Sequence, residues 1–521
     1  MSRSVLLVPA LLVAACTTVP STTTTAPRPV ITGPQIIPAP SSLTIGSGAP
    51  FDLSRRTTIV VDGNNAEVTA IAQAFAAIVR PSTGFGLAIL PAVADTTASN
   101  IYLRLAPDRA ALGEEGYDLN ITRGAATLVA NRPAGLFRGV QTLRQLLPSD
   151  VESDMGVARA VWEIPAVTIT DQPRYAWRGA MLDVARHFFT VKEVQQYIDL
   201  LALYKMNIFH LHLADDQGWR IVINSRPKLA TMGGATQVGG RSGGFYTQQE
   251  YQTIVQYAQA RYITVVPEID MPSHINAALV AYPEVGCSVR PTALYTQTDV
   301  GWSALCVDKE ETYALVEDIV REISAITPGP YFHIGGDEVQ ALTHEQYIRF
   351  VERVKTIVAR HGKIMVGWEE ITQARIDANT LAQQWKSDSV SAALKNGVKL
   401  IMSPSKKVYL DMKYTPSTEL GLKWAAYIEV RDAYDWDPAT YIAGVNDTNI
   451  VGVEAALWSE TVRNITAVEY LIMPRLPAVA EVAWTPQRGR DWENFRVRLS
   501  THAPRWNYLG INYYRSPQIP W

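Results

Sequence analysis

The sequence has few cysteines, almost no excess of charge and no internal repeat, and each of these absences excludes a class of protein. Three cysteines in 521 residues are too few for a small fold built on disulfides. The 47 basic and 50 acidic side chains give a net charge of −3, so a nucleic-acid partner is not expected. Because no period of 20–50 residues recurs, a solenoid is not expected either.

The composition favours a large globular protein that is rich in aromatic side chains. Hydrophobic residues make up 47% and charged residues 19% of the chain, a balance that allows a large core and excludes a disordered chain. The length predicts three or four domains, or one small domain beside a large α/β barrel. The 13 Trp and 23 Tyr residues are many for one chain, and the flat faces of sugars stack on such rings.

The N-terminal residues are interpreted as a lipoprotein-type signal peptide over residues 1–16, and not as part of the fold. The apolar run over residues 5–15 is too short to span a bilayer and ends at Cys16. Residues 13–16 resemble a bacterial lipobox, in which the cysteine is acylated and becomes the mature N-terminus. The alternative is an ordinary secretory signal in which Cys16 has no role. The Thr- and Pro-rich residues 17–34 predict a flexible tether.

This interpretation predicts an exported protein, anchored by lipid to the bacterial envelope in the periplasm or at the outer membrane. A soluble periplasmic protein is the alternative, and any membrane contact is expected only through the N-terminal lipid. Two cysteines remain beyond the signal, Cys287 and Cys306. An even pair in an exported chain predicts a disulfide, and two buried free thiols are the alternative.

Residues 35–172 predict a small α+β domain. Short apolar runs alternate with turns and predict strands at 57–61, 101–105, 117–121 and 127–130, with helices at 66–79 and 134–147. We expect an antiparallel sheet with the helices on one side. The Asp-Gln-Pro sequence at residues 171–173 is expected to end this domain.

Residues 173–521 predict a (β/α)₈ catalytic barrel. Helical patterns separate most of eight apolar runs, at residues 179–184, 207–213, 262–267, 330–334, 363–367, 380–385, 398–402 and 450–457. Three helices are expected to begin with a capping box, formed by Thr190 with Glu193, Thr247 with Glu250 and Thr343 with Gln346. Eight strands that alternate with helices are typical of this barrel. The alternative is a doubly wound open sheet, but no G-x-G-x-x-G sequence follows the first strand.

Polar and aromatic side chains follow nearly every predicted strand, where a barrel of this kind has its active site. This pattern indicates a pocket with aromatic walls that binds a neutral polyol. The residues concerned include Asp183, Arg186, Asp215, Glu268, Asp270, His274, Asp337, Glu338, Trp368, Trp385, Tyr409, Asp411, Trp458 and Glu460.

The adjacent carboxylates Asp337 and Glu338 are the strongest catalytic candidates. Because neighbouring carboxylates repel one another, one of them tends to keep its proton near neutral pH, as the general acid of a glycosidase must. Neighbours on one loop approach a substrate from the same side, which favours a reaction in which the substrate supplies its own nucleophile. The alternative is a metal-binding or helix-capping pair. Since no clear ligand trio lies nearby in sequence, neither a metal nor a cofactor is expected.

Several motifs resemble glycoside hydrolase family 20, the β-N-acetylhexosaminidases. The most specific is the run His333-Ile334-Gly335-Gly336-Asp337-Glu338, and the segments at residues 177–187 and 210–220 are similar to family motifs as well. The resemblance covers the barrel from about residue 173 to the end and reaches the small domain at residues 115–119 and 141–143. One departure is Ser273, where the family usually has Gly.

The resemblance implies a role for each matched residue. Glu338 is similar to the general acid and base, and Asp337 to the residue that orients the acetamido N–H and balances the charge of an oxazolinium intermediate. Tyr409 is similar to the hydroxyl donor to the acetamido oxygen. The implied acetamido pocket is lined by Trp368, Trp385 and Trp458. The implied readers of the sugar hydroxyls are Arg186, Asp411 and Glu460, and the implied ionic pair near the acid is Asp215 with His274.

The predicted function is therefore exo-hydrolysis of terminal, non-reducing β-linked GlcNAc or GalNAc from an oligosaccharide or glycan. Two alternatives stay open at this point. The first is a family member that releases a disaccharide. The second is a glycan-binding protein without catalysis, although binding alone does not require a proton donor such as Glu338.

Overall fold

The protein is described by a computed structural model that covers residues 33–63, 65–91, 99–287 and 291–521. The predicted signal peptide with Cys16 lies outside these residues, as does the predicted tether up to residue 32. Within the described ranges, no helix is both long enough and apolar enough to cross a bilayer.

The first part of the chain forms a mixed sheet with two helices packed against it. Its helices are α1 (Ala66–Thr83) and α2 (Pro133–Leu146). Its strands are β1 (Ser42–Ile45), β2 (Phe51–Leu53), β3 (Ile59–Val61), β4 (Ile89–Pro91), β5 (Asn100–Leu105), β6 (Tyr117–Ile121), β7 (Ala125–Ala130), β8 (Trp162–Ile164) and β9 (Val167–Asp171). Seven strands pair in the order β1-β9-β6-β7-β5-β3-β4, and β2 pairs with β8.

The prediction of an antiparallel sheet was wrong for half of this sheet. Strands β1, β9, β6 and β7 pair antiparallel, whereas β7, β5, β3 and β4 pair parallel. Helix α1 carries the chain from β3 across to β4, and such a crossover connects parallel strands. It begins at Asn65, whose side chain accepts hydrogen bonds from the backbone of Glu67 and Val68, and ends at Gly84 with a φ of 66°.

The second part of the chain forms a closed parallel barrel, as predicted. Its strands are β10 (Trp177–Asp183), β11 (Ile208–His212), β12 (Ala214–Asp215), β13 (Gly218–Trp219), β14 (Thr264–Glu268), β15 (Tyr331–His333), β16 (Ile364–Trp368), β17 (Thr380–Gln384), β18 (Lys399–Met402) and β19 (Ile450–Leu457). All except the short β12–β13 hairpin belong to the barrel, which β10 closes by pairing with both β11 and β19. The eight barrel strands overlap the eight predicted runs, which are continuously apolar because both faces of a parallel sheet are covered.

Helices surround the barrel and connect its strands. They are α3 (Val191–Leu203), α4 (Lys228–Thr231), α5 (Gln248–Gln259), α6 (Asn276–Ala281), α7 (Glu310–Ile326), α8 (His344–Arg360), α9 (Ser405–Val408), α10 (Val430–Tyr434), α11 (Ile465–Ile472), α12 (Arg475–Trp484), α13 (Trp492–Ser500) and α14 (Ala503–Tyr508). All three predicted capping boxes are present, at the first turns of α3, α5 and α8. The local sequence signals therefore define where these helices begin.

Buried ion pairs join the small sheet to the barrel. Glu115 accepts hydrogen bonds from Arg138 Nε at 2.8 Å and from Arg178 Nη2 at 2.5 Å. Burial alone would raise the pKa of the Glu115 carboxyl, but the charges of Arg178 and Arg138 lower it to about 2. At the end of β9, Asp171 Oδ2 lies 3.0 Å from Lys205 Nζ, and both side chains are fully buried. Two charged side chains of the barrel, Arg178 and Lys205, thus have their carboxylate partners in the first part of the chain.

Candidate active site

A cavity of about 330 Å³ opens at the carboxyl ends of the barrel strands. Eight residues predicted from the sequence line it, namely Arg186, His274, Asp337, Glu338, Trp385, Tyr409, Trp458 and Glu460. Three others, Asp215, Trp368 and Asp411, are buried. The cavity wall also contains Thr298, Val300, Leu422 and Trp424, which sequence reasoning missed.

The two carboxylates follow a Gly-Gly turn that no other residue type could make. Gly335 and Gly336 have φ values of 65° and 95°, and a Cβ on Gly335 would lie 1.8 Å from Asp270 Oδ1. The backbone N–H of Gly336 donates to the same Asp270 oxygen at 3.1 Å. Glu338 itself has a φ of 50°. The turn after β15 thus directs both Asp337 and Glu338 into the cavity.

Of the two carboxyls in this pair, Asp337 has a raised pKa and Glu338 a lowered one. Burial raises the pKa of Asp337 to about 7, against the opposing charge of His274. Burial acts on Glu338 in the same direction, but the hydrogen bond and charge of His274 outweigh it and lower the pKa of Glu338. Glu338 is the closer partner of His274 Nε2, at 3.5 Å against 3.9 Å for Asp337, and it is the more exposed carboxylate.

His274 connects the acid pair to a buried ionic group. Its Nδ1 lies 3.2 Å from Asp215 Oδ1, and Asp215 Oδ2 lies 2.8 Å from Arg186 Nη2. Burial opposes ionisation of Asp215, but Arg186 and His274 bring the pKa of this carboxyl far below its usual value. Burial also opposes a charge on His274, yet Asp215 and Asp270 raise the pKa of its imidazole well above the ordinary value. The carboxylates around His274 thus favour the charged form of its imidazole, which lies between Asp215 and Glu338.

Glu268, which follows β14 and had no predicted role, organises the layer below the cavity. Its Oε2 lies 2.5 Å from His212 Nδ1, and its Oε1 accepts a hydrogen bond from Trp368 Nε1 at 2.9 Å. His212 Nε2 in turn lies 3.0 Å from Asp215 Oδ2. The Trp368 ring is 5.7 Å from that of Trp458, between centroids. The buried Glu268 carboxylate thus positions two side chains. One is His212, which contacts Asp215, and the other is Trp368.

Four Trp and Tyr rings form part of the cavity wall. Trp385 and Tyr409 lie almost parallel, at 9° and with 6.3 Å between ring centroids. Trp424 stands nearly perpendicular to both rings, at 80° and 82°. The Trp424 side chain is 55% exposed at the mouth of the cavity, and it comes from a loop for which no strand pattern indicated a site. These rings present flat apolar faces to whatever enters.

Two neighbouring carboxylates after β16 hold the Trp385 wall in position. Glu369 Oε2 accepts hydrogen bonds from the backbone N–H groups of Trp385, Lys386 and Ser387, at 2.9, 3.1 and 3.2 Å. Glu370 Oε2 accepts one from Trp385 Nε1 at 3.1 Å, and its other oxygen lies 2.9 Å from Lys386 Nζ. The role of Glu369 and Glu370 was not predicted, because the sequence does not show which groups a carboxylate after a strand will bind.

Several buried polar atoms beside the cavity have no hydrogen-bond partner among the described residues. They are both carboxylate oxygens of Asp411, Glu460 Oε2, Arg186 Nε and Nη1, and Asp337 Oδ1. Buried polar groups are nearly always paired, so these atoms indicate a polar ligand that completes them. Burial, together with the charge of Glu460, raises the pKa of Asp411 well above its usual value. A hydroxyl group can both donate and accept a hydrogen bond, so the hydroxyls of a neutral ligand could pair with these carboxylate oxygens and guanidinium N–H groups.

Three groups of buried side chains bring possible metal ligands within 4.8 Å of one another. They are His210 with Glu268 and His333, Asp215 with Asp216 and His274, and Asp270 with His274 and Asp337. Carboxylates of the first two groups have donors within the protein, since Glu268 is bound by His212 and Trp368, and Asp216 Oδ1 accepts from Ser303 Oγ. The third group is part of the acid pair and its His274 partner described above.

Cys287 and Cys306 form a disulfide, the first of the two arrangements considered for this pair. It closes a segment that contributes Thr298 and Val300 to the cavity wall. The segment is further attached to the barrel by Ser303, whose backbone carbonyl accepts from Ser273 Oγ at 2.8 Å. Ser273, the departure from the family pattern, thus serves to hold this segment.

A (β/α)₈ barrel with two adjacent carboxylates in an aromatic-walled cavity defines a glycosidase-type active site. Comparison with known families gives the same class. Residues 175–347 and 341–487 match "Glycosyl hydrolase family 20, catalytic domain", and residues 33–172 match "Glycosyl hydrolase family 20, domain 2". The chain belongs to glycoside hydrolase family 20.

Individual relatives are similar over nearly the whole chain. A β-N-acetylhexosaminidase of Cellulomonas fimi is 42% identical over 93% of this chain and 97% of its own length. The solved β-N-acetylhexosaminidase of Streptomyces coelicolor A3(2) has a TM-score of 0.90 and 49% identity, covering 94% of this chain and 98% of that one. A mutant Streptomyces plicatus β-hexosaminidase, solved in complex with product GlcNAc, has a TM-score of 0.89 and 48% identity, covering 95% and 99%. The comparisons give no support to the disaccharide-releasing or purely glycan-binding alternatives.

Proposed function

We propose that Asp337 and Glu338 carry out the reaction of this chain, an exo-acting β-N-acetylhexosaminidase. The enzyme removes terminal, non-reducing β-linked GlcNAc or GalNAc by substrate-assisted catalysis. In the proposal, Glu338 protonates the glycosidic oxygen while the acetamido carbonyl oxygen attacks the anomeric carbon. Asp337 accepts a hydrogen bond from the acetamido N–H and balances the positive charge of the oxazolinium intermediate. Glu338 then removes a proton from the water that opens this ring, and the anomeric configuration is retained.

In the proposal, substrate binding shifts the proton of the acid pair towards Glu338. In the empty site, Asp337 has the higher pKa of the two, about 7, because it is buried. An acetamido N–H that donates to Asp337 stabilises the ionised form of this carboxyl and so lowers its pKa. A sugar over Glu338 removes water from it and disfavours its charge. Both effects transfer the proton to Glu338, where the reaction needs it.

The observation that carries this proposal is the acid pair at a cavity of the size and polarity that one sugar unit requires. Its volume, about 330 Å³, lies at the lower end of the range for small-ligand sites. Tyr409 and the Trp rings enclose the acetamido group in the proposal, and Tyr409 donates to its carbonyl oxygen. The unpaired atoms of Arg186, Asp411 and Glu460 bind the sugar hydroxyls. Holding the acetamido oxygen against the anomeric carbon contributes several kcal/mol of the rate acceleration.

The acetamido group is expected to be indispensable. We expect p-nitrophenyl β-GlcNAc and β-GalNAc to be hydrolysed, with kcat/KM for the β-glucoside lower by a factor on the order of 10⁴ or more, because the glucoside lacks the internal nucleophile. Steady-state kinetics on the three substrates side by side provide the test. A comparable kcat/KM on the glucoside would rule out substrate-assisted catalysis here.

The pH dependence should follow the single proton of the acid pair. Because the pair keeps this proton up to about pH 7, kcat/KM should fall as the pH rises through about 7, when the last proton leaves. His274 remains charged in this range, since its pKa is raised well above the ordinary value. In Asp337→Asn the remaining proton site is Glu338, with its lowered pKa, so the falling limb should move to lower pH. A limb that stays near pH 7 in this variant would show that another group titrates there.

We also propose that the enzyme is anchored by lipid at Cys16. The support is the sequence alone, a short apolar run that ends in a lipobox-like tetrapeptide before a Thr- and Pro-rich stretch. Cys16→Ser should abolish incorporation of a labelled fatty acid and release the protein from the membrane fraction, with unchanged kcat/KM in detergent extracts. Unaltered labelling would contradict the anchor and leave the soluble periplasmic alternative.

A further inference from the structure

His212 is a buried histidine at the carboxyl end of the barrel to which the proposed reaction assigns no role. It is the last residue of β11, and its side chain is fully buried. Both ring nitrogens face a carboxylate, since Nδ1 lies 2.5 Å from Glu268 Oε2 and Nε2 lies 3.0 Å from Asp215 Oδ2. Ionised carboxylates only accept hydrogen bonds. A ring placed between two of them therefore needs a proton on each nitrogen, which makes it an imidazolium.

The groups around these two carboxylates favour their ionised forms. Asp215 Oδ2 lies 2.8 Å from Arg186 Nη2, and a guanidinium is always charged in proteins. Glu268 Oε2 lies 3.0 Å from Nε2 of a second buried ring, that of His210. Burial alone would lower the pKa of the His212 imidazole, but the charge of Glu268 and the hydrogen bond with Asp215 raise it well above its ordinary value. The surroundings of the ring thus stabilise a proton on each nitrogen.

The two oxygens of Asp215 serve different parts of the cavity. Oδ2 holds Arg186, and Oδ1 lies 3.2 Å from Nδ1 of His274, the partner of the acid pair. A carboxylate turns easily about its last side-chain bond, because that torsion has broad minima. The donor on His212 Nε2 opposes this rotation, and the His212 ring itself packs edge-on against Trp458, with 5.0 Å between centroids and an angle of 77°. His212 is thus placed to hold Asp215 in one orientation.

We propose that His212, held as an imidazolium by Glu268, is a positioning residue that fixes the Asp215 carboxylate for both of its other partners. This inference rests on the proposed function, in which Arg186 binds sugar hydroxyls and His274 acts on the proton donor. In this role His212 does not contact the substrate. Without its donor the Asp215 carboxylate can turn and displace both partners, and a displacement of about 1 Å can lower a rate about 10²-fold even when the change lies away from the reacting atoms.

Variants of His212 that differ in the donor they keep test this role. Asparagine places its amide near Nδ1 of the histidine, so His212→Asn keeps a donor for Glu268 but none for Asp215, and kcat/KM on the β-1,4-linked GlcNAc disaccharide should fall about 10²-fold. Glutamine places its amide near Nε2, so His212→Gln restores the donor to Asp215 and should recover kcat/KM to within about 10-fold of the parent enzyme. In His212→Asn the loss should be smaller on p-nitrophenyl β-GlcNAc, whose leaving group needs little protonation.

His210→Gln is the matched control. His210 lies on the same face of β11, is equally buried and contacts the same Glu268 oxygen, but no hydrogen bond or ion pair joins it to Asp215 among the residues that the structure describes. This variant should keep kcat/KM within about 3-fold on both substrates, because it displaces no group that contacts the sugar. Thermal unfolding shows whether each variant is folded in the assay. Equal losses in His212→Asn and His210→Gln, or an unchanged kcat/KM in His212→Asn, would overturn the proposal.

Nitrogen-15 NMR measures the protonation of the ring without any kinetic assay. The parent enzyme is labelled in its eight histidines, and the His212 signals are identified by their absence in His212→Gln. Both ring nitrogens should carry a proton from about pH 6 to about pH 8, although an ordinary histidine loses one near pH 6.5. A bare nitrogen would contradict the proposal, because the proton would then lie on a carboxylate. If the proposed function fails instead, the parent enzyme hydrolyses neither substrate, and this spectrum still tests the role of His212.

Discussion

Glu338→Gln is expected to lower kcat on the β-1,4-linked GlcNAc disaccharide by about 10³-fold, because the amide keeps the shape of the side chain but has no proton to donate. With p-nitrophenyl β-GlcNAc the bond-breaking step should suffer far less, since nitrophenolate leaves without protonation. Opening of the intermediate by water should still be slow, because no base is present. Kinetics on both substrates at one pH measure the difference.

Azide provides the internal control for this variant. It attacks the intermediate without needing a base, so added azide should restore part of the turnover of the nitrophenyl substrate and yield the β-glycosyl azide. The parent enzyme should show no such gain. If Glu338→Gln lowers kcat equally on both substrates and azide has no effect, Glu338 is not the acid and base.

Asp337→Asn should slow every substrate alike. The variant removes the negative charge that supports the oxazolinium but leaves the proton donor in place, so ring formation is weakened whatever the leaving group. A loss in kcat on the order of 10²- to 10³-fold is typical when one positioned stabilising group is removed. The measurement is the ratio of kcat between the nitrophenyl glycoside and the disaccharide, taken at a pH below the falling limb of the variant so that Glu338 is protonated, and this ratio should remain near the parent value.

Each variant serves as the control for the other, because the two side chains are neighbours in one buried loop. Leaving-group dependence in Asp337→Asn but not in Glu338→Gln would require the two roles to be exchanged. If neither variant reduces kcat, the reaction takes place elsewhere.

The elements with strong local signals could be predicted from the sequence, whereas strand direction could not. The eight apolar runs became the barrel strands, and Thr190, Thr247 and Thr343 begin their helices with the expected caps. Apolar runs and turn residues predict where a strand lies, but they do not predict which strand it pairs with or in which direction. For this reason the parallel pairs of the small sheet were missed.

The same limit applies to the site. Most of the site residues that follow a strand were found, because the barrel brings the strand ends together. Trp424 was missed because it belongs to a long loop, and Glu369 and Glu370 because their partners are distant in sequence. Repulsion between Asp337 and Glu338 predicts that one carboxyl keeps its proton, but the sequence does not show that His274 lies closer to Glu338 than to Asp337.

The ion pairs between the small sheet and the barrel indicate that the first part of the chain contributes to the stability of the barrel. A shortened chain that began after Asp171 would leave Lys205 without its carboxylate and Arg178 without Glu115, and it would expose barrel surface that the sheet now covers. Removing one partner of a buried ion pair is strongly destabilising. We therefore expect the two parts to melt as one cooperative unit, and deletion of the sheet to destabilise the barrel.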